Sequence, residues 1–221
     1  MNKALIFDSS SIITLALNDL LYILEPLKKK FGGEFYITED VKREIIDKPL
    51  RERRFMLESL FIKKLLEKGT LTLFSNISLN KEKENIMLIA NHTFRAGQED
   101  IRLLHDGEAS CLALYPLLDI DKKAIIVDER TTRILCEAPE NLRKLLETKL
   151  HTKIDSSPKN YPMFRDFQVL RSSELVFMAY KLGIIDLPAK KVEAMEALLY
   201  GLKFKGCTIS IREIDEEIGM A

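Results

Sequence analysis

The chain has 221 residues, of which 46% are hydrophobic and 31% are charged, a composition that indicates a folded globular protein and excludes a disordered one. Its 34 basic and 34 acidic side chains give a net charge of zero, so overall charge does not require a nucleic-acid partner. No apolar run is long enough to span a bilayer, and no cleavable signal pattern opens the chain. We therefore expect a cytoplasmic protein without a membrane partner.

Strand and helix patterns alternate along most of the chain. Strands are predicted near 3–7, 35–37, 70–74, 124–127 and 152–154, and helices near 12–24, 38–49, 51–67, 81–94, 106–114, 131–136 and 141–150. Thr38 and Asp106 are the expected N-caps, and Pro49 is expected to end the second helix. The alternation predicts an α/β fold with a mostly parallel sheet.

The last third of the sequence is predicted to consist of a linker and helices. Residues 155–161, which contain Pro158 and precede Pro162, are the expected linker. Helices are predicted near 173–182, 189–205 and from 212 onward. We therefore divide the chain into an α/β domain, 1–155, with a helical insertion near 51–101, and a helical C-terminal extension, 156–221.

Four acidic side chains occupy positions typical of a site in such a fold. Asp8 and Asp128 follow apolar strand patterns, and parallel sheets build their sites at the carboxyl ends of strands. Glu44 lies in the helix after the second strand, and Glu108 lies in the first turn of another helix. We expect all four to converge at one edge of the sheet.

Clustered carboxylates raise one another's pKa unless a cation neutralises them, and Mg²⁺ or Mn²⁺ is the natural resident of an all-oxygen site. Cys111, Cys136 and Cys207 are scattered and predicted to be buried free thiols, so the metal ligands would be oxygens. The alternatives are that Glu44 and Glu108 are solvated helix residues and that the two aspartates cap the helices that follow them.

Basic residues close to these acids in the sequence are candidates for binding substrate phosphate. They are Lys42, Arg43, Arg130 and Arg133. A surface role for each is the alternative.

The four acidic segments resemble the motifs of the PIN domain, a family of metal-dependent nucleases. The resemblance rests on Asp8-Ser9-Ser10, on Glu44 within residues 41–45, on Glu108 within residues 107–109 and on Asp128 after residues 125–127, and it covers about residues 1–155. It implies a three-layer α/β/α sandwich and endoribonuclease-type hydrolysis of single-stranded RNA with Mg²⁺ or Mn²⁺. It also implies that Ser10 supports Asp8, while Glu129 and Thr131 occupy the region where the family often carries a further acid.

Two other functions compete with the nuclease hypothesis. A non-catalytic PIN-like module that binds RNA or protein would keep the fold without turnover. A phosphotransfer enzyme with an aspartyl nucleophile usually has a second Asp two residues on, where this chain has Ser10. Many relatives of the family are toxins held by a small antitoxin, and many form dimers, so the resemblance names an antitoxin and a second copy of the chain as candidate partners.

Overall fold

The computed structural model describes residues 3–220. Its elements are, in chain order, β1 (Lys3–Phe7), α1 (Ser9–Leu17), α2 (Leu24–Phe31), β2 (Glu34–Thr38), α3 (Glu39–Lys42), α4 (Lys48–Glu52), α5 (Met56–Glu67), β3 (Thr72–Phe74), α6 (Ile77–Asn91), β4 (Phe94–Ala96), β5 (Glu99–Asp100), α7 (Asp106–Leu117), β6 (Lys122–Ile126), α8 (Arg130–Glu137), α9 (Pro139–Leu150), β7 (Ile154–Ser156), α10 (Tyr161–Arg165), β8 (Val169–Leu170), α11 (Ser172–Lys181), α12 (Lys191–Phe204) and α13 (Ile211–Gly219).

A sheet of five parallel strands forms the centre, in the order β3-β2-β1-β6-β8, and helices flank it. The predicted three-layer α/β/α sandwich is therefore confirmed. The central strand β1 is buried from Ala4 to Phe7, as expected for a parallel strand covered on both faces. Its apolar, β-branched sequence forms a strand because it can bury side chains on both sides of the sheet.

The carboxyl ends of β1 and β6 lie side by side. Phe7 is in register with Ile126, and the Asp8 amide continues the ladder by donating to the Ile126 carbonyl at 2.9 Å. The Ser11 hydroxyl joins the same two strand ends, because it donates to the carbonyls of Asp8 and Ile126 at 2.8 and 3.0 Å. This edge is where the predicted site residues are expected to meet.

The helix that follows β2 is longer and less regular than predicted. Thr38 caps α3, as expected, by accepting a hydrogen bond from the Val41 amide at 3.3 Å. The prediction that Pro49 ends the helix is wrong, because the chain continues through a π-helical turn, Arg43–Asp47, into α4. Pro49 stands in the first turn of α4, where its missing N–H needs no helical partner.

Two other local predictions are wrong. Asp106 is not the N-cap of α7: His105 occupies that position, and Asp106 is the first helical residue. The single helix expected over 51–67 is broken into α4 and α5, because Arg53 and Phe55 adopt left-handed backbone conformations with φ of 63° and 58°. The sequence has no glycine near these residues that would have indicated the break.

A second sheet and an added edge strand were not predicted. β5, β4 and β7 form an antiparallel sheet. Part of the expected linker is therefore strand β7, and Tyr161, at the end of that linker, is buried. β8 extends the central sheet by pairing with β6. The division of the chain at residue 155 stays a prediction, and its bounds include residues 1, 2 and 221, outside the described part.

Among residues 3–220, no single helix is long and apolar enough to cross a membrane. Only α1 taken together with residues 21–31 reaches that length and composition, and those two segments meet at a bend of 114°.

Candidate functional site

Asp8 is the buried centre of the carboxyl edge. It is 1% exposed and caps α1, with its Oδ2 accepting hydrogen bonds from the amide and hydroxyl of Ser10 at 3.1 and 2.5 Å. The bond expected from Ser10 is thus present. The other carboxylate oxygen, Oδ1, is buried and has no hydrogen-bond partner among residues 3–220. Asp8 therefore caps a helix with Oδ2. Because a buried acceptor without a partner destabilises the fold, Oδ1 is the oxygen at which a ligand would bind.

Glu44 reaches this edge from the π-helical turn after α3. A methyl group placed on Gly107 would lie 2.8 and 2.9 Å from the two Glu44 carboxylate oxygens. The carboxylate therefore packs directly on the backbone of the first turn of α7, in space that only a glycine leaves open. Gly107 leaves the space that the Glu44 carboxylate occupies.

Glu108 comes from that same first turn of α7. Its Oε2 accepts a hydrogen bond from the His105 amide at 2.6 Å, which satisfies one of the free N–H groups at the helix start. The side chain of Glu108 is partly buried. Ser110 anchors α7 beneath it by donating to the Gly107 carbonyl at 2.7 Å and by bonding the Thr38 hydroxyl at 2.6 Å.

The pKa values indicate that these acids lie close together. Burial raises the pKa of Asp8 from 3.8 to about 6, and the charge of Glu44 adds to the rise, while hydrogen bonds from Ser10 oppose it. Burial raises the pKa of Glu108 from 4.5 to about 8, and the charges of Asp8, Glu129 and Glu44 contribute, against the His105 bond. The charges of Asp8, Glu129 and Glu44 thus act on Glu108, and the charge of Glu44 acts on Asp8.

The Asp128 carboxylate has hydrogen-bond partners of its own. It is fully buried, and its two carboxylate oxygens accept hydrogen bonds from the amide and hydroxyl of Ser172 at 2.8 and 2.7 Å. Its backbone carbonyl accepts from the Thr208 hydroxyl at 2.6 Å, and its amide donates to the Ser10 hydroxyl at 3.0 Å. The carboxylate of Asp128 is therefore committed to the start of α11, and its predicted role as a metal ligand stays a prediction.

Glu129 is the neighbour that faces the acids. Its Oε2 accepts from the Thr132 amide at 2.7 Å, so it caps α8, and its charge contributes to the raised pKa of Glu108. Thr131 is partly buried in the first turn of α8. We name the four side chains Asp8, Glu44, Glu108 and Glu129 the acidic group.

The predicted phosphate-binding cations differ in what they contact. Lys42 pairs with Asp47 at 3.2 Å and Arg43 with Asp40 at 3.0 Å. Arg133 donates to the Thr208 carbonyl at 3.0 Å. Arg130 follows Glu129 directly and is exposed, and its side chain has neither an ion pair nor a hydrogen bond within residues 3–220. Arg130 is the predicted cation best placed to meet a phosphate.

Sequence reasoning missed three residues around the site. Ser172 and Thr208 hold Asp128 from segments 44 and 80 positions away, and no local pattern announces such distant contacts. Lys83 on α6 joins Asp40 and Asp106 at 2.9 and 3.4 Å. Only Ser172 carried a signal: Ser172, Ser173 and Glu174 resemble a helix start, and α11 begins there.

The donor set fits a hard divalent cation in its chemistry. It consists of carboxylates, it includes the buried unpaired Oδ1 of Asp8, and its members raise one another's pKa. Within residues 3–220, however, no three His, Cys, Asp or Glu side chains are gathered closely enough to form a ready metal-ligand set. A cation at this edge would therefore require side-chain rotations of the glutamates.

Comparisons of the chain with family models, with curated proteins and with solved structures find no match. No relative therefore assigns a role to any of these side chains.

Proposed function

We propose that this chain is a PIN-like, metal-dependent ribonuclease that hydrolyses phosphodiester bonds of single-stranded RNA. The observation that carries the proposal is that Oδ1 of buried Asp8, at the carboxyl end of the central strand, has no hydrogen-bond partner within residues 3–220. The charge of Glu44 raises the pKa of Asp8, and the charges of Asp8, Glu129 and Glu44 raise the pKa of Glu108. Such an arrangement is costly to the fold, since burial and like charges both disfavour ionised carboxylates. Perturbed acids in this position are typical of functional sites.

Asp8, Glu44, Glu108 and Asp128 would hold Mg²⁺ or Mn²⁺, and Glu129 would be a further acid beside them. A cation bound there would polarise a phosphoryl oxygen and lower the pKa of a water molecule. The role of Glu129 is supported by its effect on the pKa of Glu108. Ser172 donates one hydrogen bond to each Asp128 oxygen, which orients the carboxylate and leaves a lone pair on each oxygen for a cation.

The chain's own side chains supply the remaining chemistry. Without a cation, Glu108 holds a proton near neutral pH because its pKa is about 8, so binding of a cation there would release a proton. Ser10 fixes the Asp8 carboxylate by two hydrogen bonds, at 3.1 and 2.5 Å. Arg130 would neutralise a phosphate beside the acidic group.

RNA as the substrate class rests on the resemblance of the acidic segments to the PIN domain. An oxygen-ligand site for Mg²⁺ supports phosphate chemistry in general, since Mg²⁺ sites combine carboxylates with substrate phosphates. An antitoxin partner, a homodimer and a cytoplasmic location stay predictions.

The test compares wild type with Asp8→Asn, by thermal unfolding with and without millimolar Mn²⁺ and by cleavage of a fluorescent single-stranded RNA. We expect Mn²⁺ to stabilise wild type by about 3 kcal/mol at a hundredfold excess over its dissociation constant, and to support cleavage. Asp8→Asn should lose both effects. Asp121→Asn is the matched control, because Asp121 is exposed and precedes β6 at the opposite edge of the sheet.

Cleavage by Asp8→Asn at the wild-type rate would remove the acidic group from the mechanism. Metal binding without cleavage of any RNA would favour the non-catalytic binding module. That alternative has one observation in its favour, which is that the described acids are not gathered into a ready metal-ligand set.

A further inference from the structure

A basic pocket lies beside the acidic group, between α8 and the α12–α13 connection. Its volume is about 500 Å³, and its lining includes Arg130, Arg133, Lys203, Phe204 and Thr208. The pocket and the acidic group share one turn of chain, since Arg130 follows Glu129 and Thr208 donates to the Asp128 carbonyl at 2.6 Å. A ligand in this pocket would therefore contact the segment of chain that directly follows Glu129.

The charge of the pocket suits an anion. The Arg130 side chain has no partner among the described residues, and the Lys203 ammonium donates to a neutral acceptor, the Ile209 carbonyl. The pocket's acidic residue, Glu213, is committed to Arg171 through an ion pair of 2.7 Å. Positive charge therefore remains available at the mouth of the pocket, although the chain as a whole is neutral.

Phe204 gives the pocket an exposed aromatic face. Its side chain is 78% exposed, although it is a large apolar group at the end of α12. It is held in place by stacking on Tyr200, with ring centroids 6.0 Å apart and an interplanar angle of 29°. A fixed aromatic ring beside cations is the arrangement that proteins use to hold unpaired bases while neighbouring basic groups bind the backbone.

We propose that this pocket binds the segment of single-stranded RNA that flanks the scissile phosphate, with a base stacked on Phe204 and a backbone phosphate on Arg130. This inference rests on the proposed function, because it takes RNA as the substrate. It assigns to the C-terminal helices the task of holding the strand across the carboxyl edge of the sheet.

The experiment measures binding of a short fluorescent single-stranded RNA to the full chain by anisotropy, in EDTA so that metal-dependent cleavage cannot occur. We expect Phe204→Ala to weaken binding about tenfold, since one stacked base contributes on that order. We expect Arg130→Gln to reduce the slope of log affinity against log salt by about 0.7, the value for one phosphate contact on a single strand. Both residues are exposed, so folding should be unaffected, and circular dichroism would verify this.

Phe61→Ala is the matched control, because Phe61 is a 53% exposed aromatic side chain on α5 and lines a different pocket. Wild-type affinity in Phe204→Ala together with an unchanged salt slope in Arg130→Gln would overturn the proposal, as would equal losses in Phe204→Ala and Phe61→Ala.

A cleavage assay with Mn²⁺ separates this proposal from the proposed function. Cleavage by wild type with no role for Phe204 or Arg130 would overturn the pocket alone. Binding that depends on both residues without cleavage would support the pocket and overturn the nuclease. Absence of both binding and cleavage would overturn both.

Discussion

Replacing Asp8 by Asn should make the metal-free protein more stable relative to wild type as the pH rises from acid to neutral. The folded-state pKa of Asp8, about 6, lies above the ordinary value of 3.8 because the carboxyl is buried. The folded protein therefore holds this proton more tightly than the unfolded chain does. The stability that this group contributes is fully present below pH 3.8 and is lost as the pH rises through about 6.

The size of the effect follows from the two pKa values. A rise from 3.8 to about 6 corresponds to about 3 kcal/mol of unfolding free energy lost to wild type once Asp8 is ionised. Asn cannot ionise, so Asp8→Asn avoids that loss. The unpaired amide group of Asn adds a cost of its own, but that cost does not change with pH. The pKa of Glu108 should fall in the variant, since the Asp8 charge raises it, which acts in the same direction.

The assay is urea unfolding of wild type and Asp8→Asn in EDTA, followed by circular dichroism between about pH 4 and pH 8. The informative quantity is the difference in unfolding free energy between the two proteins, because other groups with raised pKa values, such as Glu217, titrate in both and cancel. We expect the difference to shift by about 3 kcal/mol in favour of the variant as the pH rises. A difference that stays constant over this range would refute the assignment of a strained, buried Asp8 carboxylate.

Two further substitutions test how Glu44 is positioned for metal binding and how much Ser172 stabilises the fold. Gly107→Ala should change the unfolding free energy by no more than about 1 kcal/mol yet weaken Mn²⁺ binding about tenfold, since the new methyl group would displace the flexible end of Glu44; unchanged Mn²⁺ affinity in a thermal-shift titration would contradict this. Ser172→Ala should cost about 2 kcal/mol, because it removes a 2.7 Å hydrogen bond to the buried Asp128 carboxylate. Ser173→Ala, a change at an equally buried position with a weaker bond of 3.3 Å, should cost less than half as much in the same urea measurement.

The sequence was most informative where structure is decided locally. The runs at residues 4–7 and 124–127 are apolar and include β-branched residues, so their strand character and their place in the core follow from composition. The acids that follow strands, and the glutamate in the first turn of α7, could therefore be placed at one edge of the sheet before any coordinates. The C-terminal helices were found within one or two residues by the same periodicity.

The features that escaped prediction depend on distant contacts. β8 has only two residues and is a strand because β6 offers it an open edge. The break at Arg53 and Phe55 places two large side chains in a backbone region that such residues rarely adopt, which no propensity would favour. The roles of Asp128 and Glu129 could not be separated, because adjacent acids look alike until their partners 44 and 3 positions away are known.

The separation of those two acids ties the far end of the chain to the acidic group. Asp128 is buried and held by Ser172 and Thr208, and it holds the Ser10 hydroxyl that also bonds Asp8. Without residues beyond 155, the Asp128 carboxylate would lose both of its hydrogen bonds and the turn leading to Glu129 would lose its anchor. A buried charge left without partners is among the most destabilising features a protein can carry. The C-terminal helices therefore act less as an appendage than as the support that holds Asp128 in place beside Glu129, its neighbour in the acidic group.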